Sequence, residues 1–194
     1  KADFSSIQTR IDNWKGSSKI LVLGSSYTTE EHMSNSWLKA NPDWKVIVVP
    51  HEVTTHRITE IQNAFSEFEN QLWSSFTDEN RSRVLIVDAV GLLSRVYAFA
   101  DIVVIGGGFN KGIHNTLEAT VYNTPICFGP KHMQFQEALE LLECGAAFTF
   151  SNQDEFNTCM NLMQQNMQSS GGAHYVIQNA GATSKILNIA LSKN

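Results

Sequence analysis

Residues 106–119 read GGGFNKGIHNTLEA, and the fold follows from how that stretch is flanked. Before it stands an apolar run, Ile102-Val103-Val104-Ile105, of the kind that makes a buried strand. After it comes a helix-like segment that must stop before Pro125. Gly106, Gly107, Gly108 and Gly112 allow sharp turns and close approach of the backbone to a ligand. Strand, glycine turn and helix start together make a place where backbone N–H groups can hold a phosphate.

The same alternation runs outward in both directions. Strand-like runs fall at Ile20–Leu23, Val46–Val49 and Val84–Val87, closed by Gly24, Pro50 and Asp88 respectively. Pro125–Phe128 and Ala146–Phe150 are shorter strand candidates. Between them, Ile58, Ile61, Phe65 and Phe68 share one helix face, and so do Leu139 and Leu142 before a helix stop at Gly145. The segment from Asn152 to Met167 is expected to be helical, with Phe156, Met160 and Met163 inward. A further helix is expected from about Ala173 to Leu191, after the break at residues 169–172. The expected fold is α/β: an open, doubly wound, mostly parallel, Rossmann-like sheet. Residues 1–15 read as a lead-in helix or linker, and 16–194 as one domain with C-terminal helices from about residue 172.

Composition bounds the function. The chain has 194 residues, enough for a substantial core, with 42% hydrophobic and 17% charged residues. A net charge of −5 disfavours nonspecific nucleic-acid binding, and no nucleic-acid partner is expected. No apolar run approaches the roughly 20 residues of a membrane span, and no signal peptide is visible. The opening Lys1, in place of Met, is expected to reflect a longer parent protein. Cys127, Cys144 and Cys159 lack paired spacing, so neither a disulfide framework nor a zinc site is expected.

In open α/β sheets, ligands collect at the carboxyl ends of the strands. Those ends carry Gly24-Ser25-Ser26, Pro50-His51-Glu52, Asp88-Ala89-Val90-Gly91 and the loop from Gly106 to Glu118. Hydroxyls, imidazole, glycine amides and carboxylates on one rim suit a phosphorylated ligand with a sugar. Each has a plainer reading. Asn115 and Glu118 have the spacing of a capping box, and spacing alone favours the cap. Gly106–Gly108 makes a tight turn without matching the dinucleotide or Walker patterns. Ser25, Ser26 and Asp88 are ordinary helix caps, and His51 is a rim histidine. Cys127 and Met133 read as packing residues. Glu30-Glu31 reads as a solvated first turn. No nucleophile elbow, metal-binding helix or Cys/His cluster is present in the sequence, so no catalytic constellation emerges.

The motifs in order resemble one family. Leu23-Gly24-Ser25-Ser26, Val49-Pro50-His51-Glu52, Val87-Asp88-Ala89-Val90-Gly91-Leu92-Leu93 and Tyr97-Ala98-Phe99-Ala100-Asp101 come first. Gly107-Gly108-Phe109, Gly112-Ile113-His114-Asn115-Thr116-Leu117-Glu118 and Phe128-Gly129-Pro130 follow, with Phe135 and Glu137. Asn179-Ala180-Gly181-Ala182-Thr183 closes the set. Together they are similar to the C-terminal domain of bacterial 3-deoxy-D-manno-octulosonic acid (Kdo) transferases, inverting glycosyltransferases of the two-Rossmann-domain (GT-B) type. Departures are Ala89 for Thr, Ile113 for Gly, Ala119-Thr120 for Pro-Ala, and no Arg between Pro50 and His51.

The resemblance implies the donor half of a transferase that moves Kdo from CMP-Kdo to a lipid A precursor in lipopolysaccharide biosynthesis. It implies that Gly107, Gly108, Gly112 and the amides near His114 and Asn115 hold the donor phosphate. Glu118 would take the ribose hydroxyls, and Val90, Gly91 and Leu92 would line the cytosine pocket. Ser25, Ser26 and His51 would face the phosphate or the Kdo unit, and Lys111 the Kdo carboxylate. No metal or cofactor is implied. The general base, the lipid acceptor surface and the contact with the cytoplasmic face of the inner membrane would lie in the N-terminal half. This chain alone is therefore expected to bind nucleotide weakly and transfer nothing. The alternatives are one half of a UDP-sugar epimerase, or a nucleotide-binding module without catalysis.

Overall fold

The computed structural model describes residues 4–76, 82–165 and 172–179. Seven strands form one sheet: β1 (Lys19–Ser26), β2 (Trp44–Pro50), β3 (Asn70–Leu72), β4 (Val84–Ile86), β5 (Ile102–Ile105), β6 (Ile126–Phe128) and β7 (Ala147–Thr149). Their spatial order is β3-β4-β2-β1-β5-β6-β7, and every pairing is parallel. The helices are α1 (Phe4–Lys15), α2 (Thr28–Ala40), α3 (Thr55–Ala64), α4 (Leu93–Val96), α5 (Leu117–Thr120), α6 (Gln136–Glu143), α7 (Gln153–Gln165) and α8 (Gly172–Asn179). Part of the expected C-terminal helix, and most of the motif from Asn179 to Thr183, lies outside the described residues.

The unbroken Val/Ile/Leu runs are strands covered on both sides, and their alternate residues divide between two cores. Ile20, Val22, Ile47, Val49, Val103 and Ile105 face one layer, with Ile7, Ile11 and Trp14 of α1 and Ala138 and Leu141 of α6. Leu21, Leu23, Val46, Val48, Ile102 and Val104 face the other, with Trp37 and Leu38 of α2, Ile58 and Ile61 of α3, and Phe156, Met160 and Met163 of α7. Helix α1 is part of the first core. Trp14 is buried, and its indole N–H donates to the carbonyl and hydroxyl of Ser82, both at 3.0 Å.

Several local readings change. The deep residues of α6 are Ala138 and Leu141, with Leu139 and Leu142 only half-buried. Gly145, at φ +73, does end that helix. Met133 is 71% exposed and so is no packing residue, unlike the fully buried Cys127. The segment before Pro125 is a single helical turn, α5, followed by turns.

The sheet order places the site. Connections from β1 run outward to β2 on one side, while β5 lies on the other. The carboxyl ends of β1 and β5 therefore border the crevice at which the winding reverses, where ligands bind in such sheets. Gly24 pairs with Ile105 there, which sets the Ser25-Ser26 turn directly against the glycine loop.

Candidate functional site

The β1–α2 turn is built around buried carboxylates. Ser25 takes the left-handed conformation, φ +51, uncommon outside glycine. Ser26 is 1% exposed and its hydroxyl donates to Glu31 Oε1 at 2.7 Å. Glu31 is wholly buried and also pairs with the Arg57 guanidinium from α3. Glu30 is 1% exposed, and its Oε1 accepts the Gly107 N–H at 3.0 Å. The solvated acidic turn expected from sequence is thus incorrect. The glycine loop and α3 cover this turn, and its two carboxylates replace water with a backbone amide, a hydroxyl and a guanidinium.

That arrangement occupies several of the amides expected to hold a phosphate. The Gly107 N–H is held by Glu30, and the His114 N–H donates to the Gly106 carbonyl at 3.1 Å. The Gly112 N–H donates to the Gly107 carbonyl at 3.3 Å. Among the described residues, the amides of Asn115 and Thr116 at the start of α5 have no protein acceptor. The glycines of this loop serve packing first. A Cβ at Gly106 would fall on the Ser25 carbonyl, and one at Gly108 would lie 2.5 Å from the Gly129 backbone. Gly107, at φ +92, supplies the left-handed turn.

The pair at α5 is open where the pair at α2 is closed. Asn115 Oδ1 accepts the Leu117 N–H at 2.9 Å, and Asn115 Nδ2 donates to Glu118 Oε1 at 3.1 Å. The asparagine caps the turn alone. Glu118 is exposed and is braced by the Asn115 side chain rather than folded back on the backbone, so no reciprocal capping box forms.

An aromatic stack joins the β1, β2 and β5 rims. His51 and His114 lie with ring centroids 4.4 Å apart, and Tyr27 stacks on both, at 5.1 Å and 5.8 Å. The Tyr27 hydroxyl is 3.3 Å from His114 Nε2. Burial, and then the neighbouring His51, hold the His114 imidazole below its ordinary pKa of 6.5 and so favour the neutral ring. Burial, then Glu52 and Glu30, raise the Tyr27 phenol. Tyr27 was not among the candidate residues read from the sequence; its place directly after Ser26, at the carboxyl end of β1, was the available signal.

The remaining candidates separate. Val90 is 89% exposed and Gly91 sits at φ +81, so this tip is free to meet a ligand. Leu92 is buried, 8% exposed, and its carbonyl accepts the Arg95 and Val96 N–H groups, each at 3.0 Å. Its side chain belongs to the core. Asp88 accepts from the Ser74 N–H at 2.8 Å and from the Ser74 hydroxyl. It therefore caps the 3-10 turn Trp73–Ser75 across the sheet instead of the helix that follows it. Lys111 stands apart, on a shallow recess of about 280 Å³ with Lys131, Met133 and Gln134. The Tyr97/Asp101 element is architectural: Asp101 Oδ2 accepts the Ile20 N–H at 2.7 Å, and the Tyr97 ring fills the space over Gly24.

The comparisons with known proteins fit this geometry. No family model matches the chain. A 3-deoxy-D-manno-octulosonic acid transferase of Aquifex aeolicus is 30% identical over 146 residues, 72% of this chain and 40% of that protein. One of Chlamydophila psittaci is 32% identical over 136 residues, 66% of this chain and 30% of that protein. A bifunctional glycosyltransferase/methyltransferase of Fusobacterium nucleatum is 28% identical, over 79% of this chain and 25% of its own length. The chain thus spans well under half the length of these relatives. In fold it matches the C-terminal CMP-Kdo binding domain of WaaA from Acinetobacter baumannii, with TM-score 0.75, 22% identity, and coverage of 91% of this chain and 98% of that one. It also matches one half of Anabaena Alr3699/HepE, solved with UDP, with TM-score 0.68, 14% identity, and coverage of 98% and 52%. The chain is a relative of the 3-deoxy-D-manno-octulosonic acid transferases and has the Rossmann-like fold of their C-terminal domain.

Proposed function

We propose that this chain is the donor-binding half of a glycosyltransferase that moves Kdo from CMP-Kdo to a lipid A precursor with inversion at the anomeric carbon. The observation that carries the reading is the exposed Glu118 carboxylate, braced by Asn115, beside the Asn115 amide, which has no protein acceptor among the described residues, at the switch point of the sheet. The named activity of the sequence relatives supports the choice of substrate.

In this reading Glu118 accepts the ribose hydroxyls, and the amide of Asn115 faces the phosphate. The exposed Val90-Gly91 tip meets the cytosine, and the His51/His114 stack flanks the phosphate or the Kdo unit. Lys111 reaches the Kdo carboxylate from its recess. Breaking the anomeric bond leaves extra negative charge on the departing CMP phosphate, and preorganised N–H groups stabilise it. Loss of one such donor typically costs ~3 kcal/mol of barrier. Because α5 is only four residues long, the Asn115 amide acts locally and without a long helix dipole behind it. The acceptor hydroxyl loses its proton to a base on a further domain, which also carries the lipid and membrane contacts.

Isothermal titration of the chain with CMP and with UDP tests the assignment. The reading expects CMP to be preferred; a preference for UDP would point to a UDP-sugar enzyme, and binding of neither would end it. The chain alone is expected to bind CMP and to transfer no Kdo from CMP-Kdo.

A further inference from the structure

Glu30 lies beside the glycine loop, and the proposed function leaves it without a task. Its two oxygens differ. Oε1 accepts the Gly107 N–H, whereas Oε2 is shielded from solvent and has no hydrogen-bond partner among the described residues. Its neighbour Glu31 is equally buried and its Oε2 is likewise without a partner among the described residues, but its Oε1 has the Ser26 hydroxyl and the Arg57 guanidinium. No cation is paired with Glu30 among the described residues. The backbone amides of Glu30, Gly107 and Tyr27 offset burial only in part, and the titratable side chains around it add no compensation. Glu31 on α2 opposes the ionisation of Glu30, Tyr27 is a phenol whose ionisation Glu30 itself opposes, and His114 on the loop is held toward its neutral form.

The Gly107 amide has one proton to donate. While Glu30 holds it, a ligand phosphate cannot, and an anion in the loop brings a second negative charge beside an unpaired, buried carboxylate.

We infer that Glu30 is a proton-coupled placeholder for the ligand phosphate: anion binding at the glycine loop proceeds with uptake of one proton from solvent onto the Glu30 carboxyl. The step makes an O–H bond on Oε2, breaks none in the ligand, and leaves a neutral acid that accepts the Gly107 N–H more weakly and no longer repels the phosphate. Burial raises the Glu30 carboxyl above its ordinary 4.5, which brings this proton uptake nearer to neutral pH. The inference rests on the donor-site reading, with CMP as the anion.

The test is isothermal titration of CMP into the chain and into Glu30→Gln, from about pH 5 to about pH 8, in buffers of different ionisation enthalpy that count protons. Glutamine keeps an oxygen for the Gly107 N–H and removes the titration. Wild type is expected to take up more protons per CMP than the variant, by at most about one. The variant is expected to bind several-fold more tightly at the alkaline end and equally at the acid end. The second ionisation of the CMP phosphate is common to both proteins and cancels. Equal proton counts and a constant affinity ratio across the series would overturn the inference. So would an absence of proton uptake by wild type alone, a result that does not depend on the variant folding. Failure of CMP to bind wild type would instead remove the donor-site reading, and this inference with it.

Discussion

Two helix starts sit side by side at the switch point, and they use the same residue types in opposite ways. The first turn of α2 carries Glu30 and Glu31, both sealed and both engaged with protein groups. The first turn of α5 carries Glu118, exposed and braced only by Asn115. The sequence suggests the reverse: a solvated pair at α2 and a self-satisfied cap at α5. What decides is the cover above each turn. The glycine loop and α3 fold over α2, while nothing among the described residues closes over Glu118. A carboxylate with a roof is part of the scaffold, and one without a roof is available to a ligand.

Breaking the closed side should have the largest effect. Arg57→Ala leaves the wholly buried Glu31 with a hydroxyl and no cation, and loss of one partner of a buried ion pair costs ~3–5 kcal/mol. Urea unfolding should register that loss, and a change below about 1 kcal/mol would place the pair in the weak class of surface bridges. Next comes the loop that forms the roof. Gly108→Ala drives a Cβ into the Gly129 backbone and should destabilise by ~1–3 kcal/mol, since backbone cannot yield as a side chain can.

The open side should respond mildly in stability and strongly in binding. Asn115→Ala removes the cap on the Leu117 N–H and should cost ~1 kcal/mol by the same unfolding assay. Glu118→Ala should change stability by no more than about 0.5 kcal/mol, as expected for an exposed side chain outside a cap. Its affinity for CMP should nevertheless fall markedly. A stability loss with CMP affinity intact would return Glu118 to the role of a cap.

The pH dependence distinguishes the two sides again. Glu30 is raised in the fold, so the folded state holds more protons than the unfolded state just above pH 4.5. Stability therefore declines as pH rises from 4.5 through the raised value, and Glu30→Gln should remove that slope. His114 has the opposite sign. Its lowered pKa means that stability is lost as pH falls from 6.5 through the depressed value, and His114→Gln should flatten that arm. Thermal melts across the range would separate the two.

Much of this was legible in the chain. The apolar runs at Ile20–Leu23, Val46–Val49, Val84–Val87 and Ile102–Ile105 became four of the strands, because continuous β-branched sequence suits strands covered on both faces. The edge strand β3, Asn70–Leu72, was missed: three residues with two amide side chains carry no strand signal. The ordered glycine and histidine motifs identified the family, but roles within them depended on through-space neighbours. Ser26 and Leu92 turned inward, Gly107 lost its amide to a residue 77 positions away, and Tyr27 entered the site by stacking on His51 and His114. Local spacing carries no information about such partners.

A crystal structure of the chain with CMP is the most direct test of the donor-site reading. The account predicts the ribose hydroxyls on Glu118, the phosphate at the amide of Asn115, and the base against the Val90-Gly91 tip. CMP seated away from this rim, or bound there with Glu118 untouched, would contradict it.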